Sequence, residues 1–197
     1  MSRHEERGFT LVELLTTIAI IGLVVAVAMP SWLTFRRRNA VRAASAEIRS
    51  VFHEVRSRAI ARSRNAGVRF SKSGSQWQFA IYDDGDRDGV RNDDIRSGTD
   101  PMVAPPRLLF QQGQLVSIGL LGMIVRDPDG DRLKPDASPV QFNRSALCSF
   151  TPLGSATPGT IYLTDDAGSL YAVRVYGATA KIRLLRYESS TKRWEAR

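Results

Sequence analysis

The stretch RGFTLVELLTTIAIIGLVVAVAMP, residues 7–30, is almost entirely apolar and carries a single carboxylate, that of Glu13. From Phe9 to Met29 it is as long as the ~20-residue helix that crosses the hydrocarbon core of a bilayer. An acid at this depth costs about 2–3 kcal/mol on insertion scales, so it usually has a partner. The sequence therefore predicts a transmembrane helix over residues 9–30 and a specific role for Glu13.

Two simpler interpretations of this segment are a cleaved secretory signal and a plain membrane anchor. Residues 26–28, Ala-Val-Ala, have the small-x-small pattern of a signal-peptidase site. The apolar run is longer than an ordinary signal core, however, and acids nearly balance the bases in front of it. A plain anchor leaves Glu13 unexplained. Both interpretations stay open as alternatives.

The residues around position 8 resemble the processing signal of type IV pilins and pseudopilins. That signal is a short charged leader ending in glycine, then Phe-Thr-Leu-[Val/Ile]-Glu and an apolar helix, and it matches from Gly8 to Glu13. The resemblance implies that a prepilin peptidase removes residues 1–8 and methylates the new amine of Phe9. It also implies that Glu13 pairs with the N-terminal amine of a neighbouring subunit. Such pairing would offset the desolvation cost that each buried charge carries alone.

An amphipathic helix is predicted after the apolar segment, over residues 31–66. Apolar residues recur at spacings of three and four from Val41 to Ala59, arginines lie mostly on the other side, and Gly67 is a helix breaker. The two segments therefore read as one long helix that leaves the membrane half-way along its length.

Residues 67–197 read as strands, because apolar and polar residues alternate in several short runs. The runs GVRFSK and SQWQFAIYD predict a hairpin, and GTIYLTD, SLYAVRVYG and AKIRLLRYE predict a second group of strands. RLLF, SPVQFN and LVSIGLLGMIV are further candidates, the last as one buried strand. The expected fold class is α+β, with the long N-terminal helix packed on a mostly antiparallel β-sheet or sandwich.

The helix end and the first hairpin narrow the resemblance to one subgroup of the pilins and pseudopilins. The sequence AEIRSVFHEVRSRAIARSRNAGVRFSKSGSQWQFAIYDDGDRDG, residues 46–89, is similar to the H-type pseudopilins of type II secretion and their type IV pilus relatives, the GspH/FimT family. The likeness is weakest between Pro101 and Pro158. It implies a minor pseudopilin, a structural component of a type II secretion pseudopilus. It also implies a single-pass inner-membrane protein with a periplasmic globular domain, whose partners are other pseudopilins and the prepilin peptidase.

An aspartate-rich loop, DDGDRDGVRNDD, follows the predicted hairpin at residues 83–94. Asp84, Asp86 and Asp88 with Gly89 match the first half of a calcium loop, which places oxygen ligands at alternate positions and then a glycine. The twelfth position is Ile95, where a calcium loop needs an acid. Calcium at these three aspartates is therefore a hypothesis beside the simpler one of a solvated turn, and no other cofactor is expected.

The C-terminal strands are basic in a chain whose formal net charge is +8, and a basic surface attracts acidic partners. In FimT-type pilins a Gly-Arg-x-Arg motif near the C-terminus is linked to DNA binding, and the matching stretch here is Ala-Lys-Ile-Arg, residues 180–183. Lys181, Arg183 and Arg186 are the candidate phosphate-binding residues. The alternative function is thus a FimT-like minor pilin that binds DNA for uptake, and the simpler alternative is a basic exposed strand.

No catalytic set is present in the sequence. Cys148 is the one cysteine, which excludes an intrachain disulfide, and the histidines are His4 and His53. These residues form no Ser/His/Asp or Cys/His arrangement that could be proposed as a catalytic site. We therefore expect a protein that is not an enzyme, with a tethered periplasmic protein that never polymerises as a further alternative to the pseudopilin.

Overall fold

A long helix begins the described part of the chain, as the apolar and amphipathic segments predicted. The computed structural model of the protein describes residues 9–110, 115–120, 125–134, 136–165 and 167–196. Helix α1 runs from Leu11 to Arg62, a few residues short of the predicted boundary at residue 66. The predicted leader, residues 1–8 with Gly8, lies outside the described residues.

Short antiparallel strands form the regular structure of most of the chain after α1, which confirms the α+β class. The strands are β1 (Ala66–Ser73), β2 (Gln76–Asp83), β3 (Arg107–Leu108), β4 (Val116–Ile118), β5 (Val125–Arg126), β6 (Arg132–Leu133), β7 (Val140–Phe142), β8 (Leu147–Phe150), β9 (Gly159–Asp165), β10 (Leu170–Tyr176), β11 (Lys181–Glu188) and β12 (Arg193–Ala196). A short helix, α2, spans Asn92–Ser97 in the aspartate-rich region.

The strands form two sheets and a separate hairpin. One sheet has the order β3-β2-β1-β8, and the other has the order β12-β11-β10-β9-β4, with β7 also pairing with β9. Strands β5 and β6 pair with each other. The predicted hairpin of β1 and β2 is present in full register, from Ala66 opposite Asp83 to Ser73 opposite Gln76.

The prediction of one buried strand over residues 115–125 is wrong. Residues 116–118 pair with β9, whereas Val125 and Arg126 pair with β6 in the separate hairpin. Gly119 interrupts the apolar run directly after β4. Glycine in a strand interior offers no side chain to pack and often marks such a break. Periodicity could not detect the break, because an uninterrupted apolar run looks the same as one buried strand or as two short ones.

The core lies between the second half of α1 and both sheets. Phe52 of the helix is fully buried. Its ring centroid is 5.9 Å from those of Phe70 in β1 and Phe142 in β7, and 6.0 Å from that of Phe150 in β8. These strands belong to different sheets, so one aromatic side chain joins the helix to both. The buried positions Val41, Ala44, Ile48, Val55 and Ala59 confirm the predicted apolar stripe.

The chain divides into two compact units, one ending at Arg38 and the other beginning at Asn39. In the first unit the large apolar side chains of α1 are exposed, from Leu11, at 74%, to Phe35, at 56%. The helix is long and apolar enough to cross a membrane. These side chains need an apolar environment that the described residues do not supply.

An ion pair joins the second half of α1 to the end of β2. Arg58 donates from Nε and Nη2 to the two carboxylate oxygens of Asp83, at 2.5 and 2.7 Å. The hydrogen bonds from Arg58 hold the pKa of Asp83 below its ordinary value. A carboxylate with a depressed pKa stabilises the fold above the pKa of the unfolded chain, about 3.9, and that stability is lost as the pH falls through the folded value.

Asp83→Asn is therefore expected to lower the free energy of unfolding by about 1–2 kcal/mol at neutral pH, since it removes a charge-assisted pair that is only partly exposed. The difference from wild type should shrink below about pH 4, where wild-type Asp83 is losing its charge. Urea unfolding of the full chain at pH 7 and pH 3 measures this difference in the free energy of unfolding. Asp93→Asn is the matched control, because its pair with Arg96 is well exposed. An unchanged pH dependence in Asp83→Asn would contradict the prediction.

Candidate functional site

The start of α1 contains a reciprocal cap between Thr10 and Glu13. Glu13 Oε2 accepts hydrogen bonds from the backbone N–H and the hydroxyl of Thr10, both at 2.9 Å, and the Thr10 hydroxyl accepts the Glu13 N–H at 3.3 Å. This is a capping box, in which the residue before the helix and the third helical residue satisfy each other's backbone groups. Glu13 therefore stabilises the beginning of its own helix.

The capping role of Glu13 was missed by the sequence analysis, although its signal is readable there. Thr-Leu-Val-Glu, residues 10–13, has the Thr-x-x-Glu spacing of a capping box directly before an apolar run. The capping box uses only part of the hydrogen-bond acceptor capacity of the Glu13 carboxylate, because a carboxylate has about four acceptor positions. Glu13 is exposed, as is Phe9 at 79%, so both are accessible to another chain.

The aspartate-rich loop is organised by a buried carboxylate. Asp84 is 1% exposed; its Oδ1 accepts the Arg87 N–H at 2.7 Å, and its Oδ2 accepts the Gly89 N–H at 3.0 Å and the Asn65 side-chain amide at 2.7 Å. Gly89 has a φ of 103°, which favours glycine. The hydrogen bonds account for the burial of Asp84 without a metal ion.

The three candidate calcium ligands do lie together. One oxygen from each of Asp84, Asp86 and Asp88 falls within 4.8 Å of the others. The Asp88 N–H donates to Asp86 and holds the pKa of that carboxyl below its ordinary value, whereas desolvation and the neighbouring Asp86 raise the pKa of Asp88. Asp88 also forms an ion pair with Arg91. A cation at this position would therefore compete with contacts that the loop already makes.

Calcium binding stays a prediction, and titration calorimetry on the full chain tests it. The hypothesis predicts saturable heat at millimolar calcium that Asp86→Asn removes, because the cation would lose a charged oxygen ligand. Asp93→Asn, which changes an exposed acid outside the cluster, should leave the heat unchanged. Absence of heat at millimolar calcium would contradict the hypothesis and leave a turn held by Asp84.

The predicted phosphate-binding residues lie on β11, but they do not form one patch. Side chains alternate between the faces of a strand, so Lys181 and Arg183 share one face and Arg186 lies on the other. Lys181 and Arg183 are exposed, while Arg186 is half-buried and lies opposite Glu195 in the β11–β12 pair. The structure therefore brings Lys181 and Arg183 together and separates Arg186 from them.

A neighbouring arginine on the same face already has hydrogen-bonding and ion-pair partners. Arg174 lies directly opposite Arg183 in the β10–β11 pair. Its side chain is 12% exposed, donates to the Thr160 hydroxyl at 2.9 Å and forms an ion pair with Asp129 of the turn between β5 and β6. An acidic ligand would therefore meet Lys181 and Arg183 rather than Arg174.

Two aromatic residues of β11 and β12 pack on each other. Trp194 lies with its ring centroid 5.3 Å from that of Tyr187 and 6.0 Å from that of Tyr162, and its indole N–H donates to the Arg126 carbonyl at 2.8 Å. Their rings contribute to the smaller core between the second sheet and the β5–β6 hairpin. These contacts favour packing over base stacking for Trp194 and Tyr187.

Cys148 and His53, the cysteine and the histidine among the described residues, lie in surroundings that do not favour catalysis. Cys148 is fully buried in β8, and burial raises the pKa of its thiol. A buried thiol with a raised pKa is a poor nucleophile. His53 is exposed on the surface of α1, among the described residues.

Two family models match the chain. One, described as the prokaryotic N-terminal methylation motif, matches residues 3–29, and the other, described as type II transport protein GspH, matches residues 44–179. No curated protein and no solved structure matches the chain. The first match covers the predicted processing site and the exposed apolar helix. The second covers the second unit from the middle of α1 to the turn before β11.

Proposed function

Because the chain belongs to the GspH family of type II transport proteins, we propose that it is a minor pseudopilin of a type II secretion pseudopilus. The observation that carries the proposal is the order of parts on one chain. A methylation motif leads into an exposed apolar helix, and the same helix continues into the core of a GspH-type domain. The role is structural: the protein holds a position in a filament and catalyses no reaction.

The N-terminal helix is the part that enters the assembly. A prepilin peptidase cuts between Gly8 and Phe9 and methylates the Phe9 amine, and the helix then anchors the protein in the inner membrane with the β-rich domain in the periplasm. During assembly the helix leaves lipid for a core of neighbouring helices. Its exposed apolar side chains are buried in either environment, so the transfer costs little hydrophobic energy.

Glu13 gives the assembly its register. Apolar side chains pack with little preference for one axial position, whereas a buried carboxylate is compensated at one position only, next to the amine of the neighbouring Phe9. The capping box holds the carboxylate at the first turn of the helix, close to the processed end of its own chain. The same carboxylate therefore caps its own helix and pairs with the N-terminal amine of the next subunit.

A deletion strain of the source bacterium tests this function. Loss of the gene should reduce an exported protein in the medium and increase it in the periplasm, and a plasmid copy should restore export. A Gly8→Glu copy, which blocks the cleavage position, should not restore it. Normal export in the deletion strain, with impaired DNA uptake, would contradict the secretion role and support the alternative.

The second candidate function is DNA capture by a FimT-like pilin. The observation that favours it is the exposure of Lys181 and Arg183 side by side on one face of β11. Binding to a DNA duplex should weaken steeply with salt, and the double variant Lys181→Ala/Arg183→Ala should flatten the slope of log K against log salt by about 2, since each phosphate contact contributes about 0.9. An Arg186→Ala variant should leave the slope unchanged, because Arg186 lies on the other face. Equal slopes in all three proteins would exclude this candidate.

A further inference from the structure

Two aromatic residues follow the apolar segment of α1 within the first unit. Trp32 is 61% exposed, Phe35 is exposed as well, and their ring centroids lie 6.2 Å apart. Trp32 comes three residues after Met29, the end of the apolar run, which is about 4–5 Å further along the helix axis. Tryptophan is enriched at this depth of a membrane, where its apolar ring contacts lipid and its N–H meets the headgroups.

Two arginines come directly after the aromatic residues. Arg36 lies one helical turn beyond Trp32 on the same face, because residues four apart are neighbours on a helix surface. Arg36 is exposed and Arg37 is half-exposed. Arg36 is about 10 Å past Met29 along the helix axis, and the headgroup layer of a bilayer is about 5–8 Å thick. A long guanidinium side chain therefore reaches lipid phosphate from this position.

Neither arginine has a carboxylate near it along the helix. No acid lies between Glu13 and Glu47 in the sequence, so none is within one helical turn of Arg36 or Arg37. The Nε atom of Arg37 is enclosed and has no hydrogen-bond partner among the described residues. The two guanidinium groups are therefore available to an external anion.

The side of the membrane on which these arginines lie is unusual. Basic residues beside a membrane-spanning helix are normally in excess on the cytoplasmic side. In the proposed orientation, with the β-rich domain in the periplasm, Arg36 and Arg37 lie on the periplasmic side. Their charge opposes that orientation, so it is best accounted for by a contact with anions on the periplasmic side.

We propose that Trp32, Arg36 and Arg37 bind the headgroups of anionic phospholipids in the outer leaflet of the inner membrane. The site rests on the proposed function, because it exists only if the helix spans the membrane as proposed there. The guanidinium groups donate paired hydrogen bonds to phosphate oxygens, and Trp32 and Phe35 lie against the adjoining acyl chains. The contact fixes the depth of the helix at its periplasmic end.

A phospholipid fits these residues better than a second copy of the chain or a nucleic acid. In a second copy, residues 9–46 contain Glu13 as their single acid, and the proposed pairing with the Phe9 amine already uses it. A nucleic acid would meet the arginines but would leave the aromatic side chains exposed to water. A phospholipid supplies an anion and apolar chains together, and those chains also cover the exposed apolar side chains of the preceding helix.

Quenching of Trp32 by brominated lipids tests the proposal. The full chain is reconstituted into vesicles of phosphatidylcholine with a minor fraction of phosphatidylglycerol, and bromine atoms are placed on the acyl chains of one lipid or of the other. Bromine quenches an indole on contact, and Trp32→Phe gives the background from Trp77 and Trp194. We expect phosphatidylglycerol to be enriched about tenfold around Trp32, because each of two arginines at an anionic surface favours it several-fold.

Charge-removing variants locate the site on the helix. Arg36→Gln/Arg37→Gln should abolish the enrichment of phosphatidylglycerol. Arg49→Gln/Arg144→Gln removes the same charge from two exposed arginines of the second unit and should retain the enrichment. Equal quenching by the two brominated lipids in the wild-type chain, or equal losses in the two double variants, would overturn the proposal and leave the membrane anchor intact.

Two other results separate this site from the proposed function. If neither brominated lipid quenched Trp32, the membrane anchor itself would be contradicted, and with it the pseudopilin role. If the enrichment were absent and Arg36→Gln/Arg37→Gln entered filaments less well than wild type, the two arginines would belong to a contact with an acidic neighbouring subunit, which would overturn the lipid site.

Discussion

Glu13→Gln is expected to leave cleavage after Gly8 intact and to remove the protein almost completely from filaments. Glutamine keeps the size of the side chain and accepts the Thr10 N–H, as it does in capping boxes. It lacks the charge that compensates the Phe9 amine of the neighbour in the proposed pairing. A buried charge that loses its partner costs about 3–5 kcal/mol. Incorporation should therefore fall by about 100-fold or more, at ~1.4 kcal/mol for each tenfold change.

The measurement is the ratio of this chain in sheared filaments to the same chain in the membrane fraction. Thr10→Ala is the matched control, because it removes the hydroxyl from the capping box and retains the Glu13 charge. Loss of a cap costs about 1 kcal/mol, so incorporation should fall by tenfold or less. If Thr10→Ala and Glu13→Gln were equally impaired, the carboxylate would act through the helix cap alone. Normal incorporation of Glu13→Gln would contradict the pairing.

Phe52→Ala is expected to lower the free energy of unfolding of the second unit by about 3–5 kcal/mol, the range for buried phenylalanines. The ring is fully buried and contacts aromatic side chains from both sheets. Its removal leaves a cavity where α1 meets them. Thermal unfolding of the full chain in detergent, followed by near-UV circular dichroism, should show a midpoint lower by about 10 °C, since each kcal/mol shifts it by about 2–4 °C in a domain of this size.

Two variants control for the position and for the size of the change. Ile60→Ala alters an aliphatic residue on the same helix that is 51% exposed, and it should cost less than about 0.5 kcal/mol. Phe52→Leu keeps most of the apolar volume and should fall between the two, which preserves a readout if Phe52→Ala fails to fold. A midpoint for Phe52→Ala equal to that of Ile60→Ala would contradict the role of Phe52 in joining the helix to the sheets.

The sequence predicted the helix and the paired strands where periodicity was long and unambiguous. Helix α1 is present as expected, because an uninterrupted apolar run leads into apolar residues that recur at spacings of three and four. The hairpin of β1 and β2 is present as expected, because two short apolar runs flank a turn. Strand β8 was not predicted, although it completes the first sheet. Its four residues, Leu147–Phe150, are too few to show alternation, and its partner β1 is distant in the sequence.

The geometry of the candidate sites was predicted less well than the helix and the strands. The sequence brought Lys181, Arg183 and Arg186 together as one basic group, but strand alternation places Arg186 on the opposite face. The spacing of Asp84, Asp86 and Asp88 correctly placed three carboxylates close together. The spacing could not show that Asp84 is buried and already accepts several hydrogen bonds, because two of its partners belong to the turn and the third is Asn65, just before β1.

The most direct test of the pseudopilin assignment is the intact mass of the protein purified from membranes, with and without a coexpressed prepilin peptidase. With the peptidase, we predict a chain that begins at Phe9 and carries one additional methyl group; without it, we predict the full chain. A full-length mass in the presence of active peptidase would contradict the assignment. A mass corresponding to cleavage after Ala28 would contradict it as well and would identify the apolar segment as an ordinary secretory signal.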